Sequence, residues 1–118
     1  MVPAFGEDSE SVRYSMGRPP EQRANWRNEV TLRTWELYDD YEPAAFIDRI
    51  APTPLLMIVG VEDTMTPAED ALHAYQRALE PKKLLTVPGT HYAVYDEQFA
   101  RTSSVARDWF VEHLGAGA

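Results

Sequence analysis

The chain contains no cysteine, which excludes disulfides, thiolate nucleophiles and cysteine-ligated zinc. Positive charge is scarce: 11 Lys and Arg stand against 19 Asp and Glu, a formal net charge of −8. Phosphate backbones require clustered cations and anionic bilayers a basic face, so neither nucleic acid nor membrane is expected as a partner. No apolar run approaches the roughly 20 residues that cross a bilayer. The opening MVPAFGEDSE has neither the basic nor the apolar region of a secretory signal. The expected location is the cytoplasm.

What is present has the balance of a soluble globular domain, with 44% apolar and 25% charged residues. A length of 118 residues suffices for one core. Residues 1–24 end in GRPPEQR and mix Gly, Pro, Ser and charge without period, which reads as a loop or disordered leader. A helical period then begins in NWRNEVTLRTWELYDDY. Trp26, Val30, Leu32, Trp35, Leu37 and Tyr38 fall mostly on one face, with Asn25 as N-cap. A shorter helix is expected from Pro43 to Ile50.

Leu55 to Val59 is a continuous apolar run between Pro and Gly, the pattern of a parallel strand buried on both faces. Thr66-Pro67-Ala68-Glu69 matches a capping box, with Thr66 as N-cap and Glu69 at N3. The helix it opens turns Leu72, Tyr75 and Leu79 inward and ends before Pro81. KKLLTVPG is a second short strand. A last helix is predicted over roughly Asp96 to Leu114, burying Phe99, Val105, Trp109, Phe110 and Leu114. Strand, helix, strand, helix is an α/β order with a right-handed crossover between parallel strands. Residues 25–114 then form the domain and 115–118 a C-terminal tail.

Open α/β sheets place functional groups beyond the carboxyl ends of their strands. Here one strand runs out into Gly60-Val61-Glu62-Asp63 and the other into Pro88-Gly89-Thr90-His91. Adjacent strands lie about 5 Å apart, so the two loops can bring Asp63 and His91 together. A carboxylate on the Nδ1 proton of an imidazole fixes its tautomer, as a general base requires. Glu62 is the competing acid. His73 sits mid-helix among polar neighbours and reads as solvent-facing, and His113 suits the negative end of the last helix. Tyr38-Asp39-Asp40-Tyr41-Glu42 lacks the spaced ligands and glycine of a calcium loop and reads as a solvated helix end. No metal or cofactor is expected.

PLLMIVGVEDTMTP, followed by PGTHY, resembles the C-terminal third of an α/β hydrolase, whose triad runs Ser, Asp or Glu, then His along the chain. The likeness covers roughly Asn25 to Leu114, and NWRNEVTLRTWELYDDYEPAAFIDRIAPTPLLMIVG is similar to a dienelactone-hydrolase-like and polyketide-releasing or -transferring branch. That resemblance implies an ester- or thioester-directed serine hydrolase, with Asp63 as the acid and His91 as the base, or an acyltransferase of polyketide type. Where the family often has a second Gly before the histidine and Asp-Pro after it, this chain has Thr90 and Ala93-Val94. The G-x-S-x-G elbow is missing: Ser9, Ser11 and Ser15 lie in the leader, Ser103 and Ser104 in the last helix. The resemblance therefore implies a C-terminal fragment or shortened hydrolase that supplies acid and base without the nucleophile. It would take a small-molecule acyl substrate once completed, or be an inactive interaction module that self-associates through an exposed sheet edge.

Overall fold

The computed structural model describes residues 1–115; most of the expected 115–118 tail lies outside them. The chain divides into two compact units, Met1–Glu42 and Pro43–Ala118.

In the first unit the expected leader is not a loop. Helix α1 spans Glu10–Gly17 and begins because Ser9 accepts the Val12 N–H on its hydroxyl. A single turn, α2, follows at Pro20–Arg23. Val2 and Val30 exchange two backbone hydrogen bonds of 2.8 Å, and Asn28 pairs through its side-chain amide with both backbone groups of Phe5. These bonds hold residues 25–31 out of a helix. Helix α3 therefore starts later than expected, at Leu32–Asp39, with Thr31 rather than Asn25 as its cap. Among the described residues of this unit only Ser11 is buried. Trp35 and Tyr38 stack edge to face at the surface instead of entering a core.

The second unit opens with a 3-10 helix at Pro43–Arg49, where the sequence predicts a short helix. Strand β1 (Leu55–Gly60), helix α4 (Ala68–Arg77), strand β2 (Lys82–Val87), a 3-10 turn at His91–Val94 and helix α5 (Phe99–Leu114) follow. β1 and β2 pair in parallel, from Leu55 opposite Lys82 to Gly60 opposite Val87. Leu55 and Met57 pack on Ile47, Ala74 and Ala78 of one layer, while Ile58 faces Val94, Phe99 and Ala106 on the other side. This is the α/β arrangement expected, with the crossover helix in place.

Cover on the sheet is thinner than a strand buried on both faces implies, for Leu55 to Ile58 are only half-buried. The same narrowness corrects the stripe assigned to α5. Trp109 is buried and Val105 half-buried, but Phe99, Phe110 and Leu114 are exposed, because two strands offer room for one row of helix side chains. Leu79 is exposed as well: α4 ends at Arg77, and Ala78 leaves it in extended conformation. Among the described residues no helix is long and apolar enough to cross a membrane.

Candidate active site

The carboxyl ends of β1 and β2 are locked together beyond the last ladder pair. Val61 N–H donates to the Val87 carbonyl and Glu62 N–H to that of Gly89, at 3.0 and 3.1 Å. The Glu62 carboxylate in turn accepts the Gly89 N–H at 3.3 Å. Glu62, the competing acid, is thus a clamp between the loops. Two glycines make the approach possible. A Cβ on Gly60 would stand 2.9 Å from the carbonyl oxygens of both Gly89 and Thr90, and Gly89 itself has φ of 107°, a backbone region that L side chains seldom adopt.

This lock sets Asp63 and His91 side by side. His91 Nδ1 lies 2.8 Å from Asp63 Oδ2. The other carboxylate oxygen accepts the N–H groups of Met65 and Thr66 at 2.9 and 3.0 Å, and the Thr66 hydroxyl donates to Oδ2 at 2.9 Å. Burial pushes the Asp63 carboxyl up, but the bonds from His91, Thr66 and Met65 outweigh it and hold the group below the ordinary Asp range. An ionised carboxylate only accepts, so the His91 proton sits on Nδ1 and the neutral ring keeps Nε2 as its free base. The backbone bonds to Asp63 also correct the capping box. Thr66 spends its N–H and hydroxyl on Asp63, so α4 starts at Ala68 with Pro67 in the cap position and no side-chain cap.

Around the pair, Tyr92 and Tyr95 meet the His91 ring edge to face. A cleft of about 150 Å³ is lined by Ile58, Asp63, Thr66, His91, Val94 and Tyr95. Thr102, buried on α5, donates its hydroxyl to the Val94 carbonyl at 2.9 Å and ties that helix to the His91 turn. Sequence reading missed Thr102, because a lone Thr in a helical stripe carries no signal of a distant carbonyl. Three of the five serines have side-chain bonds elsewhere: Ser9 caps α1, Ser103 donates to the Phe99 carbonyl and Ser104 accepts from Arg107. His73 is exposed beside Glu69. His113 packs on Trp109 with its Nε2 buried, a contact that an argument from helix dipoles did not foresee. Asp39 to Glu42 are exposed, and no cluster of three or more potential metal ligands occurs among the described residues.

The crystal structure of the α/β hydrolase GrgF from Penicillium sp. sh18 matches 97% of this chain with a TM-score of 0.75 at 21% identity. The chain carries the α/β-hydrolase fold. It corresponds to 42% of that structure, consistent with a C-terminal portion of the fold. In sequence it is 32% identical over 74 residues to a polyketide transferase of Gibberella fujikuroi and 30% identical over 79 residues to the uncharacterized protein YfhR of Escherichia coli K12. Those stretches cover 63% and 66% of this chain but 21% and 27% of the two relatives. The chain spans about a quarter of the length of the curated relatives it matches. No family model matches it.

Proposed function

We propose that Asp63 and His91 are the acid and base of a serine-hydrolase triad acting on ester or thioester substrates. The 2.8 Å bond between them, at the carboxyl ends of two parallel strands, carries this reading. In the proposed reaction a serine hydroxyl gives its proton to His91 Nε2 as its oxygen attacks the acyl carbon. The imidazolium, stabilised by Asp63, then protonates the departing alkoxide or thiolate. The acyl-enzyme passes its acyl group to water, whose proton goes to His91 and from there to the departing serine oxygen. The likeness to a polyketide transferase favours an alcohol or amine as an alternative acceptor.

The nucleophile in this reading is supplied by sequence outside these 118 residues, since no G-x-S-x-G is present. The chain alone should resist labelling by a fluorophosphonate probe. The direct test is a chimera in which this chain replaces the aligned stretch of the similar polyketide transferase. Thioester turnover that falls at least a hundredfold in His91→Ala supports the proposal. A folded chimera whose turnover His91→Ala leaves unchanged refutes it, and a folded chimera without turnover favours an inactive interaction module.

A further inference from the structure

Thr66 touches both members of the pair. Its hydroxyl oxygen is 2.9 Å from Asp63 Oδ2 and 3.3 Å from His91 Nδ1, while Oδ2 and Nδ1 are 2.8 Å apart. The three atoms form a triangle. The hydroxyl has one proton, and Oδ2, which carries none, is its nearer acceptor. The lone pairs of Oγ1 are then what faces the Nδ1 proton, so that proton has a main acceptor in Oδ2 and a second in Oγ1.

We propose that Thr66 is a positioning residue, whose hydroxyl holds the His91 ring in the tautomer and plane that leave Nε2 as the free base. The proposal rests on the acid–base reading of Asp63 and His91. A ring held by one bond pivots about it, whereas a second acceptor on the other side of the same N–H restricts that rotation. Occupying a lone pair of Oδ2 also keeps the carboxylate an acceptor for the ring. A plain helix-capping role does not account for the contacts, since the cap position of α4 belongs to Pro67 and no side chain caps that helix.

The test is ¹⁵N NMR of the imidazole nitrogens in the full chain, recorded at a pH where the spectrum shows only the two neutral tautomers. Wild type and Thr66→Ser should show His91 mainly as the Nδ1–H form. Thr66→Val should raise the Nε2–H share about fivefold, the equivalent of one net hydrogen bond. If Thr66→Val does not fold, Thr66→Ala reads the same ratio with both backbone bonds to Asp63 intact. Unchanged tautomer ratios in the folded variant overturn the role of Thr66. Asp63→Asn separates the two levels. A ratio that moves in Asp63→Asn but not in Thr66→Val sinks this inference alone, and a ratio that Asp63→Asn leaves unmoved sinks the acid–base pair as well.

Discussion

Replacing Asp63 by Asn keeps the shape of the side chain and removes its charge. The carboxylate accepts four hydrogen bonds, from Met65 N, Thr66 N, Thr66 Oγ1 and His91 Nδ1. An Asn carbonyl in the Oδ1 position retains the two backbone bonds, so the turn survives. At the Oδ2 position the new amide is a donor. Thr66 can rotate its hydroxyl to accept, but the Nδ1 proton of His91 meets another donor and must move to Nε2. A bond to a charged partner is worth about 1.5–3 kcal/mol. The side chains of His91 and Asp63 retain 24% and 10% exposure, and the tautomer change relieves part of the clash, which places the loss near the lower bound. About 1.5 kcal/mol in a domain of this size lowers Tm by roughly 6 °C at neutral pH.

The difference should depend on pH in one direction. Asp63 is held below its ordinary range by the folded state, so its contribution is fully present above the unfolded Asp pKa and is lost as pH falls through the depressed folded value. Thermal melts of wild type and Asp63→Asn should therefore converge in acid and separate on approach to neutrality. Parallel melting curves across that range, or an Asn variant as stable as wild type at neutral pH, would show that the carboxylate is not held by these bonds.

Three further outcomes follow from the same contacts. Gly60→Ala puts a Cβ against two backbone carbonyls, which should cost about 1–3 kcal/mol in urea unfolding and displace the His91 turn; native stability with the Nδ1–H signal of His91 intact contradicts the close approach. Lys82 donates to the Tyr75 and Ala78 carbonyls at the end of α4, so Lys82→Met should lose about 1 kcal/mol despite its similar bulk, and no change in the urea midpoint argues against this cap. Among the described residues β1 pairs only with β2, so sedimentation velocity should show weak, concentration-dependent self-association through the free edge; a monomer at every concentration opposes it.

How much of this was legible in the sequence divides along physical lines. β1 and β2 were readable because continuous apolar runs bounded by Pro and Gly suit few structures other than an inner strand. That Asp63 and His91 lie side by side was readable from their place after those runs, since parallel strands bring their carboxyl ends together. Helix α1 was not readable, because its start depends on Ser9 capping a polar segment with almost no apolar period. Residues 25–31 have helical periodicity, yet pairing of Val30 with Val2 and of Asn28 with Phe5 competes successfully for their backbone. Thr66 was assigned to the wrong partner. A Thr before Pro fits an N-cap, and only the three-dimensional position of Asp63 shows that its hydroxyl is spent there. Phe99 and Phe110 look like core by periodicity, but periodicity states which face a residue shares and not whether anything covers it.

The position of the pair depends on short-range backbone geometry more than on a large core. From Gly60 and Val87 onward, the bonds from Val61 to Val87, from Glu62 to Gly89 and back to the Glu62 carboxylate continue the ladder into both loops. Gly60 allows the loops to touch, Gly89 turns the chain towards His91, and Thr102 anchors the far end of that turn through the Val94 carbonyl. Each device acts within a few residues of the strand ends. Two side chains placed this way can keep their geometry on a two-strand sheet whose faces are only half covered. A nucleophile cannot be gained so locally, because a serine elbow requires its own strand-to-helix turn, and none of the serines here stands at one. On the proposed reading, that asymmetry accounts for Asp63 and His91 standing in register in a sequence that carries no serine elbow.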